Sequence, residues 1–461
     1  MELKTQSKIF CACSTAFGAA PNTQCCPVCM GLPGALPVLN EEVLRLAVMA
    51  GTALDCRIAP VSGHDRKNYF YPDLPKAYQI SQFDRPLCEG GHLDIDTPDG
   101  GKTIGITRIH IEEDAGKLLH EGSRTLIDFN RCGVPLIEIV SEPDIRTAGE
   151  AVSYLKKLRA VIASAGISDC RMNEGSFRCD VNLSVHRPGT PFGTRTEMKN
   201  LNSFQSVQRA IEAEYARQVS LLEQGEEIHQ ETLRFDQKTG SVSVMRRKEN
   251  ADDYRYFPEP DMPPVQVTAA QLARWTQDMP MLPDARKQLY ISRFGLPQEA
   301  AAQLCYPRVR ADCFEAAAAL THAPVVLARL MIAEVFRLTE DEESPIPIVP
   351  AHLARVADMA AEGLVNNNNA KRIIAALWAE DTDPDAYAQA NNLLQLRDRD
   401  TLAAYARQAA AENPGMVQGY LKGKVNLKKA IMGAAMGLSG GRADPVLLQQ
   451  LVDEVLAAAA E

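Results

Sequence analysis

The chain has 461 residues, of which 46% are apolar and 23% charged, with a formal net charge of -10. That length exceeds what one hydrophobic core usually supports, so two or three domains are expected, and the acidic balance excludes a surface coated in cations while leaving room for local basic faces. No run approaches the ~20 apolar residues that cross a bilayer, and the opening Met-Glu-Leu-Lys-Thr-Gln-Ser-Lys is no secretory signal, which predicts a cytoplasmic protein without membrane contact.

In chain order, the first signal is thiol chemistry. Five of the 12 cysteines lie between Cys11 and Cys29. Cys11-Ala-Cys13 and Cys26-Pro-Val-Cys29 form two short clips, and four thiolates satisfy tetrahedral zinc, so metal binding is favoured over disulfides. Four protein ligands leave no open position, which makes the expected zinc structural. Cys25 is an extra thiol that could replace Cys26.

From Asp65 to Asp84 the sequence gathers Tyr69, Phe70, Tyr71, Tyr78 and Phe83 with Arg66, Lys67 and Lys76, and shows neither helical nor strand period. Cations that meet phosphate or carboxylate oxygens, beside flat aromatic faces, suit a nucleotide or a nucleic-acid end; a packed irregular loop is the structural alternative. Next come scattered acids: Glu112, Glu113 and Asp114, then Glu138 and Glu142, then Asp180. Ile109, Ile111 and Glu113 share strand parity, so Glu113 ends an apolar row and needs a partner to stay ionised. Mg²⁺ uses a few carboxylates plus waters and phosphates, and fits such acids. Glycoside hydrolysis by paired acids, and salt bridges to Arg108, Arg131 or Arg178, are competing uses.

Arg178 to His186 alternates strictly and predicts a strand, with Cys179, Val181, Leu183 and Val185 on one face. Helices are expected over Thr147–Ala165 and Ser203–Leu222, the second carrying apolar residues at Val207, Ala210, Ile211, Tyr215, Val219 and Leu222. After the proline-rich 257–264 the chain turns alanine-rich and helical, broken at Pro280, Pro283, Pro297, Pro307 and the cluster Pro345, Pro347 and Pro350. Four asparagines, 366–369, open a further helix, and another break is expected over 382–390. The last unit carries Lys422, Lys424, Lys428 and Lys429 near one end, which fits either RNA phosphates or a solvated helix face. There is no Gly-x-x-x-x-Gly-Lys-Ser/Thr and no Gly-x-Gly-x-x-Gly. Gly437-Leu438-Ser439-Gly440-Gly441 follows a helical stretch, so it reads as a turn rather than a nucleophile elbow.

Taken together, Glu-Leu-Lys-Thr-Gln-Ser-Lys-Ile-Phe-Cys (2–11), Pro-Val-Cys-Met-Gly-Leu-Pro-Gly (27–34), Asp-Arg-Lys-Asn-Tyr-Phe-Tyr-Pro-Asp (65–73), Glu-Glu-Asp-Ala-Gly-Lys (112–117), Leu-Ile-Glu-Ile-Val-Ser-Glu-Pro-Asp (136–144), Lys-Asn-Leu-Asn-Ser-Phe (199–204) and Asp-Asp-Tyr-Arg-Tyr-Phe-Pro-Glu-Pro-Asp (252–261) resemble the B subunits of tRNA-dependent amidotransferases. The resemblance implies an α+β class. A mixed-sheet cradle domain with a small zinc-binding segment would span 1–264, an all-α helical domain 265–397, and a YqeY-like helical tail 398–461. It implies a ligase that works with A and C subunits on Glu-tRNA(Gln), Asp-tRNA(Asn) or both. ATP phosphorylates the side-chain carboxylate, and ammonia from glutamine hydrolysis in the A subunit then displaces the phosphate.

By the same resemblance Glu113, Glu138 and Asp180 face Mg²⁺, Lys67 faces phosphate, and Cys11, Cys13, Cys26 and Cys29 hold Zn²⁺. Arg66, Tyr69, Asn200, Tyr254 and Arg255 fall in blocks around the ATP site, as do Asn202 and Tyr256. Family members carry a strand of the form Gly-Leu-Glu-x-His before the Glu-Leu-Lys-Thr block, whose Glu and His belong to the metal site. This sequence starts at that block, so weakened or no kinase activity is expected of the polypeptide alone, with a non-catalytic tRNA-binding scaffold as the alternative. A zinc hydrolase is disfavoured because four cysteines leave zinc no open position.

Overall fold

The structure, a computed structural model, describes residues 1–247 and 254–459; Asp252 and Asp253 of the 252–261 block lie outside the described residues. It divides into two compact units, Met1–Leu282 and Pro283–Glu461.

The first unit is α+β. Its central sheet is antiparallel in the order Arg57–Ile58, Cys88–Thr97, Gly100–Glu113, Pro135–Ser141. Period-two alternation turns Ile109 and Ile111 into the core, where both are buried with Ile137 from the neighbouring strand. The helix Glu41–Ala53 also packs on this core, and Asn40 caps it by accepting from the Glu42 amide. A second, mixed four-stranded sheet runs Val181–Leu183, Thr196–Lys199, Glu231–Asp236, Ser241–Arg247. Its middle pair is parallel, joined through the helix Phe204–Glu223.

Both predicted helices form, over Ala148–Ser164 and Phe204–Glu223, and Thr147 and Ser203 serve as N-caps. The second one buries Val207 and Ala210 from its apolar period, but a polar pair continues the buried face. Tyr215 and Leu222 are exposed, whereas Glu214 and Gln218 are completely buried. Glu214 accepts from Thr196 Oγ1 at 2.8 Å and from Arg217 Nε at 2.7 Å, and Gln218 accepts from the Val185 amide at 3.1 Å. A hydrogen-bonded network thus takes the place of an apolar stripe. The predicted strand 178–186 shrinks to Val181–Leu183 because Val185 gives its amide to that network instead of a ladder.

The segment 65–84, which lacks a visible period, contains a hairpin. Asp65–Asn68 pairs antiparallel with Tyr78–Ser81, and Phe257–Pro258 adds on the other side. Each strand is only four residues long, too short for its alternation to stand out from the aromatic loop it carries. The first unit continues past Pro264 to Leu282, since Val265–Gln266 pairs with Val61–Ser62 and Trp275 is buried in the same core.

His64 sits in this core, 5% exposed and edge-on to Phe10 at 6.1 Å, and among the described residues neither ring nitrogen has a hydrogen-bond partner. Burial lowers its pKa from 6.5 to about 4. The folded state therefore resists protonation, and stability present above pH 6.5 is lost as pH falls toward 4, by about 3 kcal/mol from this group. His64→Leu is expected to flatten that part of the pH profile in urea unfolding. A variant that loses as much stability as the wild type over this window contradicts the assignment.

The second unit is helical among the described residues, with separate cores over 290–393 and 402–456. Pro283 and Pro350 open helices, and Pro297 and Pro307 occupy N-cap positions, so these prolines punctuate as expected. Asn366 caps Asn367–Ala379 through the Asn369 amide. The expected break at 382–390 is instead the short helix Pro384–Ala390, started by the Asp383 cap. Ser439, Gly440 and Gly441 form the turn after Leu427–Leu438, with both glycines at positive φ. Among the described residues no helix is long and apolar enough to cross a membrane.

Candidate active site

The register of the central sheet builds an acidic cluster. His110 stands directly opposite Glu138 across the antiparallel pair, and Glu112, two residues on, shares its face. The His110 Nε2 lies 3.5 Å from Glu138 Oε2 and 3.8 Å from Glu112 Oε2, and one ligand atom from each of the three residues falls within 4.8 Å of the others. Burial alone would raise the Glu112 carboxyl, but the adjacent His110 and the charge of Lys67 bring it down to about 2. The His110 Nδ1 is buried and has no hydrogen-bond partner among the described residues.

Lys67 reaches this cluster from the hairpin. Burial lowers its pKa, but the surrounding negative charge, led by Glu112 and including Glu138, outweighs it, so the net direction is up and the ammonium is retained. Aromatic rings enclose it: Nζ lies 4.9 Å from the Tyr254 ring centre and 5.7 Å from that of Tyr69. The Tyr69 hydroxyl donates to Gln79 Oε1 at 2.9 Å, and Tyr254 meets both Tyr69 and Tyr256 edge-on. Phe83 and Tyr256 stack 4.2 Å apart at 10°, and Phe83 is 45% exposed, which leaves an aromatic platform open to solvent.

Other residues expected at the site are occupied elsewhere. Arg66 forms a bidentate pair with Glu259 at 2.7 and 2.8 Å, reaches Asp261 at 2.9 Å and lies over Tyr78, so it ties the strand Phe257–Pro258 to the hairpin. Arg255 adopts φ 44°, accepts from Asn68 Nδ2 through its carbonyl at 2.8 Å, and stands 6.0 Å from the Phe70 ring. Asp180 pairs with Lys199 at 2.6 Å, and Asn200 follows that strand at φ 62°. Glu113 points away from Glu112, as strand parity requires. It pairs with Lys76 and accepts from the Ile80 amide at 2.9 Å. The structure thus brings Lys67, Tyr69 and Tyr254 together with Glu138, and places Glu113 and Asp180 in lysine ion pairs. His110 and Glu112 join the cluster although neither is among the residues that the motifs assign to the metal; the spacing His110-x-Glu112 on one strand face was the available signal.

Behind Glu113 lies a pocket of about 200 Å³, lined by Phe10, Tyr78, Lys8 and Lys76 and by Cys11 and Cys29. Gly31, at φ +66°, lets the chain close over it, because a Cβ there would stand 2.2 Å from Lys76 Cγ. The sulfur atoms of Cys11, Cys13, Cys26 and Cys29 all lie within 4.8 Å of one another. Cys25 stands outside this cluster and hydrogen-bonds the Asn22 carbonyl. The Cys29 sulfur accepts from the Cys26 amide at 3.0 Å, and its pKa falls to about 4, chiefly through the hydrogen bond with Cys11. Four converging sulfurs fit a tetrahedral zinc site.

In the tail, Lys422, Lys424 and Lys429 are exposed and Lys428 pairs with Asp453 at 2.6 Å.

Residues 1–273 match the family described as the GatB/GatE catalytic domain, and residues 312–456 match the GatB domain family. The chain is 47% identical over 466 residues to a protein of Caldicellulosiruptor saccharolyticus, covering 99% of this chain and 97% of the relative. It is equally similar, at 47% over 460 residues, to one of Caldanaerobacter subterraneus subsp. tengcongensis, with 99% and 97% covered. A Synechococcus protein is 47% identical over 463 residues, with 98% and 94% covered. All three relatives are named as the B subunit of an aspartyl/glutamyl-tRNA(Asn/Gln) amidotransferase.

Proposed function

The chain belongs to the GatB family, and from that premise we propose that it is the B subunit of a heterotrimeric ligase that amidates Glu-tRNA(Gln), Asp-tRNA(Asn) or both at the expense of ATP and glutamine. The observation that carries the reading is the convergence of Lys67 with Glu112, Glu138 and His110 on one face of the central sheet, within a chain alike to its relatives along nearly its whole length.

A side-chain carboxylate is a poor acyl donor, so it must be energised before ammonia attacks it. A divalent cation with ATP would supply charge neutralisation and the phosphoryl group. Glu112 and Glu138 offer oxygen ligands suited to Mg²⁺, with His110 beside them. Lys67 brings a retained positive charge to phosphate oxygens, and the Tyr69, Tyr254 and Tyr256 rings exclude water around it. The open Phe83–Tyr256 stack gives a base of the nucleotide or of the tRNA end a face to rest on. Ammonia from a partner A subunit needs a path closed to bulk water, where it would be protonated. Asp180 would enter the metal site by exchanging Lys199 for the ion, whereas Glu113, turned to the opposite face with Lys76 and the Ile80 amide, holds the hairpin instead. The four cysteines hold Zn²⁺ as a closed structural site, and the exposed tail lysines contact tRNA phosphates. With Lys67 and the acids already assembled, a scaffold role without chemistry has less support.

The test is reconstitution with A and C subunits and both mischarged tRNAs. ATP- and glutamine-dependent formation of Gln-tRNA(Gln) or Asn-tRNA(Asn) is expected, and turnover of neither substrate by the complete complex overturns the reading.

A further inference from the structure

Lys8 is 0% exposed, which is rare for a lysine, and among the described residues no carboxylate forms an ion pair with it. Its backbone amide donates to the Cys13 carbonyl at 2.9 Å and the Ile9 amide to Gly133 at 2.9 Å, so the turn carrying Cys11 and Cys13 also fixes where the lysine starts. Its stem runs past Gly133, where a Cβ would stand 3.6 Å from Lys8 Cδ and 3.5 Å from Cys29 Cβ. Nζ ends 3.6 Å from the Cys29 sulfur, its hydrogen-bond partner.

Four thiolates around a divalent zinc ion leave a net charge of about -2 on the site, in surroundings that screen it poorly. Hydrogen-bond donors to metal-bound ligands commonly change metal affinity by about 10- to 100-fold. We infer that Lys8 is a positioning residue of the thiolate site: its buried ammonium, directed at Cys29, offsets part of that charge and sets how tightly the site retains zinc. The inference rests on the zinc reading proposed above. It adds that a residue outside the four cysteines governs retention, and that it does so by charge.

The experiment uses the full chain loaded with zinc and a chromophoric chelator in competition. Lys8→Met keeps the stem and removes the charge; Lys8→Gln keeps a hydrogen-bond donor without the charge. Both are expected to bind zinc about 10- to 100-fold more weakly than wild type. With cobalt in the site, both should keep the charge-transfer bands of a four-thiolate centre, because the ligands themselves are untouched. Should Lys8→Met not fold, Lys8→Gln alone decides. Retention within about twofold of wild type in either variant that folds overturns the role of Lys8, whereas a wild-type chain that binds no zinc overturns the zinc reading itself and the inference with it.

Discussion

Lys67→Ala is expected to lower ATP-dependent amidation by the assembled heterotrimer by about 10²- to 10³-fold, the usual loss when one preorganised electrostatic contact to a developing charge is removed. Glutamine hydrolysis takes place in the partner subunit, so its maximal rate should persist. Lys67 touches the rings of Tyr69 and Tyr254 and its charge faces Glu112 and Glu138, so urea unfolding of the variant is measured alongside and activity is expressed per folded molecule. Single-turnover formation of amidated tRNA, alongside a glutaminase assay on the same preparation, checks it. Amidation within about threefold of wild type would remove Lys67 from the reaction and leave the acidic cluster without a phosphate-facing cation.

A second pair of substitutions separates chemistry from architecture on a single strand pair. Glu138→Ala removes a half-exposed carboxylate, so stability should change by only about 0.5 kcal/mol, while amidation is expected to fall by about 10²-fold or more and the Mg²⁺ requirement to rise. Glu113→Ala removes the counter-charge of Lys76, whose side chain is 9% exposed, and leaves a buried ammonium unpaired. The expected cost is about 3–5 kcal/mol, read as a lower urea midpoint of the first unit. Activity per folded molecule should change much less than in Glu138→Ala, since Glu113 lies on the strand face opposite Glu112. If Glu113→Ala keeps its stability, the Lys76 pair carries little of the fold. If Glu138→Ala keeps its activity at limiting Mg²⁺, the acidic cluster is no metal site.

Much of this architecture was legible in the linear pattern. Thr147 and Ser203 cap their helices because a short hydroxyl side chain before an apolar period has one good use there. The four clustered cysteines were legible for a similar reason: each clip is closed by only one or two intervening residues, so local geometry almost fixes the sulfur separation. The strand parity of Ile109, Ile111 and Glu113 also announced that the acid would need a partner.

What period could not supply was the partner's identity, because that depends on which segment crosses the strand. For Glu113 it is Lys76, brought from a hairpin whose short strands show little pattern of their own. Glu214 and Gln218 are a second case. By composition they belong on a solvated face, and only Thr196 and Val185, arriving from neighbouring segments, provide the hydrogen bonds that let them be buried.

The sequence by itself determined the family, the α+β and helical halves, the capped helices and the four-thiolate cluster, all set by residues close in the chain or by whole blocks of signature. Only the tertiary structure decided that His110 and Glu112 join Glu138 while Glu113 turns to Lys76 and Asp180 to Lys199. An antiparallel register fixes which side chains stand opposite one another, and a shift of a single residue would have exchanged the two faces and both sets of partners.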